Sequence, residues 1–213
     1  QDNYDLPKRV ELSSQDPGYS KDYWNSMAEL GWLGLPFNEE DGGFGGNQID
    51  TLVIMEQFGK GLVLEPFLAN VVLGGGAIQI GGSEELKNEM LSSLIEGSKQ
   101  LTLAYAEQQS RFDLEDVATS ARQEGDKYII NGQKSMVLNA ESSDHIVVVT
   151  RTNGGQVDEE GITLFLVDSD SKGLERNNFP TVDGLRASEI TFDNVEVNSE
   201  RMIGDLNKGF IIL

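Results

Sequence analysis

Along the first hundred positions, apolar residues recur at helical spacing. Ser20 is placed to cap a helix over residues 21–30, with Tyr23, Trp24, Met27 and Ala28 on one side and Gly31 as its stop. The loop LPFNEEDGGFGGNQ (35–48) leads into a helix predicted over 48–59, where Ile49, Leu52, Val53 and Glu56 share a face. Trp24 and Leu52 are therefore expected to be buried against neighbouring helices. Pro66 and the triple glycine at 74–76 bracket the apolar segment LANVVL, read as a buried helix. Ser83 caps a clearer amphipathic helix. Glu84 and Glu85 fill its first turn, Leu86, Met90, Leu91, Leu94 and Ile95 form its stripe, and Gly97 ends it.

From about residue 99 the period shortens to that of strands. LTLAYA (101–106), VATSARQ (117–123), KYIING (127–132), KSMVLN (134–139), HIVVVTRT (145–152), GITLFLVD (161–168) and SEITF (188–192) are separated by turn signals such as Glu124-Gly125-Asp126 and Asp183-Gly184. Within YIINGQKSMVLNA (128–140), Asn131-Gly132 predicts a tight hairpin between two short strands. The outgoing strand ends on Met136-Val137-Leu138, which either fills an ordinary core or faces a flat ligand. The change of period places a boundary near residue 98. The pattern predicts an α+β chain, helical first, then an antiparallel β-sandwich or barrel.

Composition narrows the partners. The chain has 213 residues and a formal net charge of −20, which argues against nucleic acid or an anionic membrane, since both demand a cationic surface. With no cysteine, disulfides, thiolate nucleophiles and cysteine-based metal sites are excluded. No apolar run approaches the roughly 20 residues of a membrane span and no signal peptide is visible, so a cytoplasmic location is expected. The first residue is Gln1, and the chain closes on the apolar Gly209-Phe210-Ile211-Ile212-Leu213, so both ends are expected to continue in a longer protein.

Candidate chemistry is sparse. The glycines of GGFGG (42–46) and 74–76 are followed by no GxxxxGK[ST] and form no GxGxxG between a strand and a helix, which leaves loop geometry. His145 is the single histidine and is read as structural. Glu39-Glu40-Asp41 and Asp113, Glu115 and Asp116 are read as solvated or capping groups. No metal ligand set and no catalytic constellation stand out.

The order of segments says more. ELGWLGLPFNEEDGGFGG (29–46), AYAEQQSRFDLEDVAT (104–119), DKYIINGQKSMVLNA (126–140), GITLFLVD (161–168) and FDNVEVNSERMIGDLNKGFIIL (192–213) resemble, in sequence, landmarks of the acyl-CoA dehydrogenase family. DVAT, GITLFLVD and DGLRAS resemble its small-subunit pimeloyl-CoA dehydrogenase type. The resemblance implies a helical N-terminal domain (1–98, its first helix absent), a middle β domain (99–205) and, at 206–213, only the start of a C-terminal four-helix domain that is otherwise absent. It implies FAD-dependent α,β-dehydrogenation of an acyl-CoA thioester in fatty-acid metabolism. A glutamate base of the C-terminal domain would take the α proton, so no catalytic residue is assigned among these residues. Electron-transfer flavoprotein and a second dehydrogenase subunit, in a homo- or hetero-oligomer, are the implied partners.

The same resemblance assigns the cofactor positions. Ala106 and Phe112 stand where a threonine and a serine usually meet the flavin ring and the pyrophosphate. Met136, Val137 and Leu138 stand where an aromatic, an isoleucine and a hydroxyl residue line the ring. All three hydroxyls are replaced by carbon. A second function follows beside the first: a non-catalytic, flavin-poor subunit of a heteromeric acyl-CoA dehydrogenase.

Overall fold

The computed structural model describes residues 4–213. Five α-helices form the first layer: α1 (Leu6–Ser13), α2 (Lys21–Glu29), α3 (Gln48–Gly61), α4 (Gly76–Gly81) and α5 (Glu84–Ile95). LANVVL belongs to a wider helical turn, Leu68–Gly75, that runs directly into α4. Capping follows the side-chain chemistry. Ser20 accepts the Tyr23 N–H, Ser83 accepts the Leu86 N–H, and Asn47 and Asp50 form a reciprocal capping box on α3. Helix α1 was not anticipated, although Asp5 followed by Pro7 carries its start signal.

Trp24 is buried, its indole N–H donating to the Gly97 carbonyl at 3.2 Å, but Leu52 is 65 % exposed. The expectation for Leu52 is thus corrected. Helix α3 carries two apolar stripes, and the one that packs on the core is Ile54, Met55 and Phe58, while Ile49, Leu52 and Val53 face outward. The aromatic settles the choice: Phe58 meets Phe67 edge-on at 5.2 Å and Trp32 at 5.8 Å.

Eight strands follow: β1 (Leu101–Ala104), β2 (Ser120–Glu124), β3 (Lys127–Leu138), β4 (His145–Arg151), β5 (Ile162–Asp168), β6 (Leu174–Pro180), β7 (Arg186–Asn198) and β8 (Met202–Ile203). They run in the order β6-β7-β3-β2-β4-β5-β8, mostly antiparallel, with β1 parallel to β4. The period of two decides what each face touches. Val147 and Val149 of β4 join the helices in one core, while Ile146 and Val148 join Tyr128, Ile130, Phe165 and Phe192 in a second core within the sheet. Every residue of β4 is buried, because it is covered on both faces.

Residues 127–138 form no hairpin. They make one strand, β3, paired along its length with β7 from Lys127↔Asn198 to Leu138↔Ala187. The Asn-Gly pair is absorbed as an irregularity instead: register shifts fall between Ile130 and Gly132 and between Lys134 and Val137. A thirteen-residue partner strand holds both halves in line. Gly132 has φ 147° and sits so close to β2 that a Cβ there would lie 2.6 Å from the Thr119 Cα. The second shift puts Met136 at φ 53° and turns its side chain outward, leaving Val137 buried.

Candidate functional site

The C-terminal half of β3, the end of β1 and the loop 105–119 converge. The Ser135 N–H donates to the Ala106 carbonyl at 2.8 Å, and the Thr102 hydroxyl donates to the Leu138 carbonyl at 2.6 Å. The structure thereby brings Ala106, Met136, Val137 and Leu138 into one region. Val137 is buried, Ala106 and Leu138 are half-buried, and Met136 is half-exposed. Phe112 stands apart at 96 % exposed, on the loop that follows β1.

A buried ion pair fixes that loop. Lys134 Nζ lies 2.7 Å from Glu107 Oε1 and also donates to the Tyr105 carbonyl at 3.1 Å. Glu107 accepts the Ala118 and Thr119 N–H groups at 2.9 and 3.0 Å and the Gln109 amide at 2.8 Å. Burial pushes the Glu107 carboxyl up, but the Lys134 ammonium and these hydrogen bonds outweigh it and hold the group below the usual carboxylate range. Burial pulls Lys134 down to about 8 against the attraction of Glu107. Sequence reasoning missed Lys134. Its signal was parity: Tyr128, Ile130, Gly132 and Lys134 fall on one face of the strand, so an inward cation had to find a partner.

Which donors could meet a flavin here? Residues 106, 112 and 138 offer only carbon side chains. Four of the neighbouring main-chain N–H groups are engaged: Glu107 to the Ser110 hydroxyl, Ser110 to the Glu107 carbonyl, Asp113 to the Ser110 carbonyl, and Met136 to Glu189 Oε1. The Ser135 hydroxyl also donates to Glu189, at 2.8 Å, which places a carboxylate rather than a donor beside Met136. These residues do not fit a flavin held by side-chain hydroxyls. Arg111 is the contrary feature, an exposed cation with no ion pair or hydrogen bond of its own.

Next to Leu138 an apolar cavity of about 130 Å³ opens between the layers. Met55, Phe58, Leu64 and Phe67 line it from the helices, and Leu138, Asn139, Leu185 and Arg186 from the sheet. Its helical wall includes Glu65, a carboxylate only 5 % exposed.

His145 lies elsewhere. Its Nδ1 is 2.8 Å from Asp168 Oδ1, which also accepts Arg201 Nη2 at 3.0 Å. His145 and Asp168 are register partners of β4 and β5, so the contact ties two strands together, as a structural histidine would. Among the described residues no group of His, Cys, Asp and Glu is placed to hold a metal ion, and no helix is long and apolar enough to cross a membrane.

Two profiles of one family match the chain: the acyl-CoA dehydrogenase N-terminal domain over residues 3–98 and the acyl-CoA dehydrogenase middle domain over residues 102–195. The chain belongs to the acyl-CoA dehydrogenase family. It is 34 % identical over 201 residues to the 3-(aryl)acrylate reductase of Clostridium sporogenes, covering 91 % of this chain and 52 % of that protein. Among solved structures it is similar to an acyl-CoA dehydrogenase from Geobacillus kaustophilus, with a TM-score of 0.87 at 26 % identity over 99 % of this chain and 57 % of that one. It is also similar to a chain of the ChsE4-ChsE5 complex from Mycobacterium tuberculosis, with a TM-score of 0.84 at 26 % identity over 97 % of this chain and 53 % of that one. The chain spans about half the length of the curated relatives it matches.

Proposed function

We propose that this chain serves as the flavin-poor part of an acyl-CoA dehydrogenase-type enzyme: it receives the acyl end of a CoA thioester in the cavity beside Leu138 and pairs with a flavin-loaded dehydrogenase subunit. One observation carries the reading. Where side-chain hydroxyls would hold FAD, positions 106, 112 and 138 present carbon. Leaving a buried polar atom of a ligand without its partner costs about 1–3 kcal/mol. Similarity to a chain of a two-component complex supports the pairing.

A second reading, FAD-dependent α,β-dehydrogenation by a protein that contains this chain, is favoured by Arg111. Its unpaired guanidinium could take a diphosphate in a charge-assisted contact. FAD would then supply the acceptor for the β hydride, and electron-transfer flavoprotein would be the onward acceptor. Visible absorption separates the two. The first reading expects no flavin spectrum from the protein purified alone and a flavin spectrum from the co-purified mixed assembly. A flavin spectrum from the protein alone that bleaches with acyl-CoA would overturn it in favour of the second.

A further inference from the structure

The polar side chains that line the cavity beside Leu138 are engaged with other protein groups. Glu65 accepts the Ser20 N–H at 3.1 Å and meets the Tyr4 hydroxyl. Arg186 donates to the Ser13 and Gln15 carbonyls at 3.3 and 3.0 Å, and its Nε faces Glu141 at 4.0 Å. Tyr19 and Asn139 are joined through the Gln100 side chain at 2.6 and 2.8 Å. What the side chains leave for a guest is therefore aliphatic carbon, the Met55 thioether and the rings of Phe58 and Phe67. The two rings are fixed. Phe58 stands between Phe67, edge-on at 5.2 Å with the planes at 77°, and Trp32 at 5.8 Å. A ring packed on both sides does not swing aside to lengthen the cavity. Met55 lies three positions before Phe58 on α3, so its sulfur is offered from the same helical face.

We propose that this cavity selects acyl groups that end in a single aromatic ring, with Phe58 as a specificity-determining residue. The inference rests on the reading of the cavity as the acyl site and names the class of tail that the site takes. Its volume of about 130 Å³ is close to that of an apolar cavity of about 150 Å³ that holds one benzene. A flexible chain that fills the same space gives up rotamer freedom on entry, whereas a ring is rigid beforehand. An aromatic ring also gains edge-on or offset contacts with Phe58 and Phe67 and a sulfur contact with Met55. A saturated ring of equal bulk gains only the burial. A charged tail would lose its water and meet walls whose polar groups are already engaged.

The test is calorimetric titration of the full chain with three CoA thioesters of equal carbon number: 3-phenylpropanoyl-CoA, 3-cyclohexylpropanoyl-CoA and nonanoyl-CoA. CoA itself is the reference for the shared head group. The phenyl-ended thioester is expected to bind about three- to tenfold more tightly than the cyclohexyl-ended one, and the straight chain more weakly than either. Phe58→Leu keeps the wall apolar and removes the ring, so it should bring the two ring-ended ligands to within about twofold of each other. Leu185→Trp fills the cavity from the sheet side without touching α3 and should reduce all three to the affinity of CoA. Equal affinity of the natural chain for the phenyl- and cyclohexyl-ended ligands overturns the proposal and leaves the acyl-site reading standing. So does a phenyl preference that survives Phe58→Leu, or tightest binding of the straight chain. Tails that add nothing over CoA, or that bind Leu185→Trp undiminished, overturn the proposal together with the acyl-site reading.

Discussion

Lys134 and Glu107 show what a single pair of residues can hold in place. Both side chains are out of solvent, and between them they anchor the loop after β1 to β3. Removing one partner of such a pair strands the other charge, which typically costs about 3–5 kcal/mol. Lys134→Met is therefore expected to lower the stability measured by urea unfolding by that amount. Pairing it with Glu107→Gln should recover part of the loss, because no unpaired charge then remains. A single substitution costing less than about 1 kcal/mol would mean that the loop is held by its backbone hydrogen bonds alone. At this scale the candidate site was only partly legible. Ala106, Val137 and Leu138 were placed by resemblance and do converge, but the cavity beside Leu138 gave no sign in the chain, since two distant segments enclose it.

Among the elements, β3 is the instructive one. Asn131-Gly132 between apolar runs is a strong local signal for a hairpin, and it failed because register with β7 extends across it on both sides. Local turn chemistry competes with long-range pairing, and here a bulge satisfied both. The glycine is still required. Gly132→Ala would drive a Cβ into the Thr119 backbone at a φ that side chains rarely adopt, and is expected to cost about 2 kcal/mol or more in thermal unfolding. Gly59 in α3 provides the contrast: a Cβ there meets nothing within 4 Å, so Gly59→Ala should gain about 0.5–1 kcal/mol. Equal effects at the two positions would contradict the account of β3. Helices α2 and α5 were legible because a cap, one apolar stripe and a stop agreed. Helix α3 was legible as a helix but not in its orientation, because Ile49, Leu52 and Val53 compete with Ile54, Met55 and Phe58. Strands β6 and β8 escaped notice for physical reasons: β6 is mostly exposed and polar, and β8 has two residues.

For the whole molecule, the helices share one core with β1, β4 and β5, and the cavity opens where α3 and residues 63–69 meet the end of β3 and the start of β7. A net charge of −20 argues against nucleic acid as a partner, since that demands a cationic surface. On the function proposed above, the family fold is kept here while carbon replaces the three side-chain hydroxyls that would hold flavin. The most direct measurement is a fluorescence titration of the full chain with FAD, beside the variant Ala106→Thr, Phe112→Ser and Leu138→Thr. Restoring three hydroxyls at about 1–3 kcal/mol each predicts that the variant binds FAD roughly a hundredfold or more tightly than the natural chain. A natural chain that already binds FAD as tightly as the variant would contradict the account.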